Sequence, residues 1–204
     1  MGKQAIKLAQ EVDYSSAGTV EFIVDKNKNF YFLEMNTRLQ VEHPVTELVT
    51  GIDLVEQMIN VASGKKLKIK QEDVKLNGSA IESRIYAENP YKNFLPSIGR
   101  LTKYDPPKEK KYYDETLTRN DTGVKEGDEI SMFYDPMIAK LCSWGQTREI
   151  SIKRMESALD NFLLEGIDHN IPFLSAILAN KRFKSGDLST SFIQEEYTLS
   201  LIHI

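Results

Sequence analysis

The segment Phe30–Glu47, FYFLEMNTRLQVEHPVTE, places a polar side chain at every second position from Glu34: Glu34, Asn36, Arg38, Gln40 and Glu42. Met35, Thr37, Leu39 and Val41 lie between them. Side chains of an extended chain repeat with period two, so the five would share one face. Just upstream, two runs rich in Val, Ile, Phe and Tyr flank the polar DKNKN, which is the pattern of a β-hairpin. A turn on Lys26 to Asn29 pairs Val24 with Tyr31, Phe22 with Leu33, and Glu21 with Glu34. Two carboxylates directly across a ladder repel each other. A cation offsets that repulsion, and an all-oxygen ligand set suits Mg²⁺ or Mn²⁺, which take one or two protein carboxylates and fill the remaining positions with water and phosphate oxygens. The face would then present a metal carboxylate, an amide, a guanidinium fork for an oxyanion, and a base. A half-exposed antiparallel strand alternates polar and apolar residues for no chemical reason at all. The set contains neither Ser nor Lys, however, and Glu21 arrives from an independent strand, which favours chemistry over plain alternation.

The surrounding elements must hold that face in place. Ala5, Leu8, Ala9 and Val12 fall on one helical face. Pro44 suits the start of a short helical turn over VTELVTG. A second helix is expected from Leu54 to Ser63, capped by Asp53 with Glu56 three residues on, and ended by Gly64. The charged stretch KKLKIKQEDVKLNG reads as a connector, which divides the chain into 1–70 and 71–204. Beyond it, SAIESRIYAENP, GRLTKYDPP and DEISMF read as strands, and PMIAKLCSW as a buried one. Ile152, Met155, Leu159, Phe162 and Leu163 make one helical face closed by Gly166. Asn170 and Pro172 open a further helix, and STSFIQEEY makes a short last one. Antiparallel strands followed by helices define an α+β class.

Composition excludes several partners. The 204 residues carry a net charge of -4 with no long basic run, which argues against nucleic acid. No apolar stretch is long enough to span a bilayer. Cys142 is the lone cysteine, so no internal disulfide forms and a reducing compartment is expected. It lies in an apolar run and reads as an inert buried thiol. Neither a GxxxxGK[ST] loop nor a Cys/His zinc spacing occurs.

EMNTRLQVEHPVTE resembles the signature of biotin carboxylases, within the ATP-grasp superfamily. GTVEF, GIDLVEQMI, ESRIYAENP and FLPSIGRLT are similar to the same family, and the likeness covers essentially the whole chain. ISMFYDPMIAKL and GDLSTSF look most like the biotin-carboxylating alpha subunit of acetyl-/propionyl-CoA carboxylases. The resemblance implies the C-terminal part of an ATP-grasp domain followed by a biotin carboxylase C-terminal domain. It implies a ligase in which ATP phosphorylates bicarbonate to carboxyphosphate, whose CO₂ is captured by biotin presented on a separate carrier domain. By motif match, Glu21 and Glu34 would hold the Mg²⁺ or Mn²⁺ that bridges ATP phosphates, with Asn36 at a second metal position. Arg38 would be the catalytic guanidinium and Glu42 the general base. Arg38, Gln40, Val41 and Glu42 would bind bicarbonate, Arg84 would bind biotin, and Ile23 would join Glu21 and Glu34 around ATP. His43 reads as a structural turn residue beside Pro44.

Further expectations follow from the likeness. A carboxyltransferase subunit would be a partner, and the full-length protein would be a homodimer or higher oligomer, with Asp135 near a subunit interface. The compartment would be the bacterial cytoplasm, with the mitochondrial matrix as alternative. The family's N-terminal domain, ATP-gripping lid and carrier motif have no counterpart in these residues, so the chain reads as a fragment inactive alone. Two rival readings are another ATP-grasp ligase, such as the large subunit of carbamoyl-phosphate synthetase, and a non-catalytic dimerisation module built around ISMFYDPM.

Overall fold

The computed structural model describes residues 1–109 and 116–197 and divides the chain into two units, Met1–Leu76 and Asn77–Ile204. The first unit contains α1 (Gly2–Glu11), the strands β1 (Thr19–Val24) and β2 (Phe30–Asn36), then α2 (His43–Thr50) and α3 (Leu54–Ala62). Local chemistry explains these boundaries. Pro44 occupies the first turn of α2, where its missing N–H costs nothing, and Gly51 closes that helix at φ 72°. The Asp53 carboxylate accepts the Glu56 N–H at 2.8 Å and so caps α3. Helix α1 forms as its apolar spacing predicts, but none of its residues is buried, and Val12 lies at its exposed C-cap. The expected connector after α3 holds a single 3₁₀ turn at Gln71–Asp73.

The second unit opens with β3 (Ser79–Tyr86), β4 (Glu88–Asn89), β5 (Leu95–Pro96), β6 (Gly99–Arg100) and β7 (Lys103–Asp105). It continues with β8 (Thr116–Thr122), β9 (Glu129–Ile130), β10 (Met137–Gly145), α4 (Arg148–Asp160) and β11 (Leu163–Glu165). The last elements are α5 (Ile171–Ala179), α6 (Lys181–Ser185) and α7 (Phe192–Glu196). Its main sheet is antiparallel, in the order β3-β10-β8, with β10 bonded on both sides. That central place accounts for the largely apolar run PMIAKLCSW, interrupted only by Lys140 and Ser143. One face of the sheet packs on α4, where Ile85, Leu141, Met155 and Leu159 are all but sealed from water. Ser143 reaches across to donate to the Ser151 carbonyl at 2.9 Å, so even the polar core residue is satisfied. The class is α+β.

Several expected boundaries move. GRLTKYDPP makes two short strands, β6 and β7, with Leu101 buried between them, and DEISMF pairs only at Glu129–Ile130. Helix α4 stops at Asp160, so Phe162 and Leu163 lie outside it; Leu163 belongs to β11, which pairs with β7. Gly166 does not end a helix. It follows β11 at φ 102°, pressed so closely against the Arg100 carbonyl that a β-carbon would collide.

Candidate functional site

The hairpin brings Glu21 and Glu34 directly opposite, but by a different route from a four-residue turn. Val24 pairs with Phe30, Ile23 with Tyr31 and Phe22 with Phe32, one residue out of the expected register. A bulge at Leu33 then restores the phase, so that Glu21 faces Glu34, Val20 faces Met35 and Thr19 faces Asn36. The loop is one residue shorter than a four-residue turn, because Asp25 closes on Asn29 across Lys26, Asn27 and Lys28, and the Asp25 carboxylate accepts the backbone N–H groups of Asn27 at 2.8 Å and Asn29 at 2.9 Å.

Strand β2 ends at Asn36, so strand periodicity does not carry Arg38, Gln40 and Glu42 onto one face. A loop gathers them instead. The Asn36 amide donates to Glu21 Oε1 at 2.7 Å and to Glu34 Oε1 at 3.1 Å, and so bridges the two carboxylates. Gln40 folds back to donate to the same Glu21 oxygen at 3.0 Å. The Arg38 guanidinium donates to Asn36 Oδ1 at 3.4 Å and to the Leu39 carbonyl at 3.3 Å. Arg38, Gln40, Glu42 and His43 line one recess of about 150 Å³, together with Gly18 and Thr19. Val41 and Glu42 form the turn that enters α2, with Glu42 at its N-cap position. His43 lies 3.1 Å from Glu47, and Glu47 accepts the Leu54 N–H at 3.0 Å, so this pair ties α2 to α3. Ile23 and Leu33 are both exposed.

The donor set is three carboxylates, two amides and one guanidinium, short of positive charge and made of hard oxygen ligands. Such a set fits Mg²⁺ or Mn²⁺ and does not fit a soft, thiolate-binding metal. Among the described residues no group of three or more His, Cys, Asp or Glu is placed to hold a metal ion. Two carboxylates and an amide are what a partly hydrated Mg²⁺ takes. Two positioning residues escaped the reading of the sequence. Tyr14 donates to the Ala17 carbonyl at 2.6 Å, and its ring lies where a β-carbon on Gly18 would stand. Gly18 is therefore required at the mouth of β1, and only the glycine of GTVEF hints at this.

Arg84 lies on β3 in the second unit. Its Nε donates to Glu82 Oε1 at 3.2 Å. Burial acts to lower its pKa, but the hydrogen bond and charge of Glu82, with Tyr86, outweigh that and raise it, so the guanidinium stays cationic. On the same sheet face Arg119 grips Asp121 with two bonds of 2.7 and 2.8 Å, and Lys140 adds a third contact at 3.4 Å. Burial acts to raise the Asp121 pKa, yet Arg119 and Lys140 prevail and lower it. Cys142 is fully buried beside Glu82, and burial foremost, then the Glu82 and Asp121 charges, push its thiol up.

This two-unit α+β chain with a carboxylate-bearing hairpin matches known families along most of its length. Residues 1–70 match the family described as carbamoyl-phosphate synthase L chain, ATP binding domain, and residues 82–195 match the biotin carboxylase C-terminal domain. The chain belongs to the biotin carboxylase family. The propionyl-CoA carboxylase alpha chain of Ruegeria pomeroyi is 64% identical, over 97% of this chain and 31% of that one. Biotin carboxylase 2 of Bacillus subtilis is 49% identical, over 96% and 42% respectively. The biotin carboxylase domain dimer of Hydrogenobacter thermophilus 2-oxoglutarate carboxylase, solved with MgADP, ADP and bicarbonate, superposes with a TM-score of 0.90 at 42% identity. That alignment covers 97% of this chain and 43% of that one. The chain thus spans under half the length of each of these relatives. Among the described residues no helix is long and apolar enough to cross a membrane.

Proposed function

We propose that this chain supplies the metal, bicarbonate and biotin contacts of an ATP-dependent biotin carboxylase, within an acetyl- or propionyl-CoA carboxylase. The observation that carries the reading is the convergence of Glu21, Glu34, Asn36 and Gln40 on one hydrogen-bonded knot beside Arg38. Glu21, Glu34 and the Asn36 carbonyl oxygen would hold Mg²⁺ or Mn²⁺, which when bound neutralises charge on the phosphates of ATP. Arg38 offers a planar fork for bicarbonate and for the anionic carboxyphosphate that phosphoryl transfer makes from it. Gln40 and the Val41 backbone orient bicarbonate, and Glu42 takes the bicarbonate proton. Loss of a preorganised donor such as Arg38 is expected to cost ~10²–10³ in rate. Arg84 donates to the ureido oxygen of biotin, the carboxyl acceptor, which is presented by a carrier domain. Ile23 contributes apolar contact to ATP.

The reading includes a homodimer or higher oligomer and a carboxyltransferase partner. Met132, Phe133 and Tyr134, just before Asp135, are 70%, 85% and 81% exposed, which supports an interface there. The setting is the bacterial cytoplasm or the mitochondrial matrix, and the lone buried thiol of Cys142 agrees with either.

The test is phosphate release from ATP by the full-length protein. It should require bicarbonate and be stimulated by free biotin. Release stimulated by ammonia and indifferent to biotin would overturn the reading in favour of a carbamoyl-phosphate synthetase activity.

A further inference from the structure

We propose that Glu82 and Asn170 are positioning residues that aim Arg84, an inference that rests on Arg84 being the residue that meets biotin. Lys140 stands directly across the ladder from Arg84. Like charges in that position repel, and an arginine whose side chain is 38% exposed has room to swing away. Besides the Tyr86 side chain, two separate holds oppose the swing, one on the side chain and one on the backbone.

The side-chain hold is Glu82. It precedes Arg84 by two residues on β3 and so shares its face. Its own side chain is only 6% exposed, and its Oε1 accepts from Arg84 Nε at 3.2 Å. A bond at Nε restrains the last rotations of the side chain, which set the plane of the guanidinium. A buried carboxylate is costly without a cation, so Glu82 and Arg84 need each other. Asp121 assists by drawing the Lys140 ammonium to 3.4 Å on the far side of β10.

The backbone hold is Asn170. Among the described residues, strand β3 lies at the edge of its sheet, and its outer rim at Arg84 and Tyr86 has no strand partner in the order β3-β10-β8. The buried Asn170 side chain takes that place. Its Oδ1 accepts the Tyr86 N–H at 2.9 Å, and its Nδ2 donates to the Arg84 carbonyl at 3.0 Å. Its own backbone N–H donates to the Tyr86 carbonyl at 3.1 Å. One residue thus imitates a neighbouring strand for the two positions that carry Arg84, at the point where α5 begins. Stiffening a contact residue in its working geometry raises affinity by lowering the entropy lost on binding.

The test is a double-mutant cycle on biotin in the full-length protein, with free biotin as the variable substrate. Glu82→Ala is expected to lower kcat/KM for biotin about tenfold or more, the scale of a charge-assisted hydrogen bond, with the KM for ATP unchanged. Glu82→Gln keeps an oxygen acceptor and should lose less. Asn170→Asp keeps the acceptor for Tyr86 and should fall between the parent and Asn170→Ala. Because Glu82 acts through Arg84, the Glu82→Ala, Arg84→Ala pair should be no worse than Arg84→Ala alone. If the two losses multiply, or if Glu82→Gln and Asn170→Asp fold normally with biotin kinetics equal to the parent and to Glu82→Ala alike, the positioning role is overturned. If Arg84→Ala itself leaves biotin kinetics unchanged, the assignment of Arg84 to biotin fails first, and this inference fails with it.

Discussion

The two units of this chain solve opposite problems. The C-terminal unit buries a continuous core in which Ile85, Leu101, Leu141, Met155 and Leu159 are sealed from water. Among the described residues of the N-terminal unit, only Pro44 and Leu48 reach that state. There the hairpin exposes Ile23, Val24, Phe30, Tyr31, Phe32 and Leu33, while its charged knot is held by hydrogen bonds among polar side chains. One unit is stabilised by burial; the other arranges chemistry on a scaffold that buries little of its own apolar surface. Side-chain geometry and self-sufficient packing are thus separable within one chain.

The contrast between the two units is largest in their cores. Met155→Ala is expected to cost about 2–5 kcal/mol of stability, as a large-to-small change in a filled interior does. Ile59→Ala, at a side chain 62% exposed on α3, should stay within about 0.5 kcal/mol. Denaturant midpoints of the two variants measure the contrast, and equal losses would erase it.

A smaller effect is expected on the charged face of the C-terminal sheet. Asp121→Asn should cost about 1–2 kcal/mol at neutral pH by stripping Arg119 and Lys140 of their carboxylate. Since Asp121 has a lowered folded pKa, its contribution is complete above the unfolded value of about 3.9 and disappears as pH falls through the folded one. Melting curves of parent and variant should therefore converge only in strong acid. Convergence already near pH 6 would mean that another group carries the effect.

The smallest effect is expected to have the opposite sign. Glu34→Gln relieves two like charges placed across a ladder and should stabilise the N-terminal unit by ~0.5 kcal/mol. The same change should abolish Mn²⁺ binding followed by water proton relaxation. A variant that is both less stable and still binds Mn²⁺ would show that the pair is structural.

Much of this was legible from residue order. The Asp53 cap and Pro44 at the start of α2 follow from local rules, because each depends on groups within a few residues, while the apolar run PMIAKLCSW marks β10 as a buried strand without showing which distant strands, β3 and β8, flank it. The opposition of Glu21 and Glu34 was also legible, although two unseen features cancelled. Asp25 shortens the loop by one residue through bonds to Asn27 and Asn29, and the extra residue at the Leu33 bulge takes up the difference. Neither leaves a mark on apolar periodicity. Period-two reasoning failed beyond Asn36 because the chain leaves the strand there, yet Gln40 returns to Glu21 by a loop that no period describes. Helix α4 was overextended because Phe162 and Leu163 continue its apolar spacing, while their partners lie far away in sequence on β7 and in the core.

The bulge at Leu33 has one more consequence. It works as a slip joint between the hairpin tip and the carboxylate pair. The bulge supplies the one residue that the three-residue loop over Lys26, Asn27 and Lys28 leaves out, so the opposition of Glu21 and Glu34 is set at the joint and not at the exposed tip alone. The tip is a natural port for grafting, where an engineer could insert a tag or reporter.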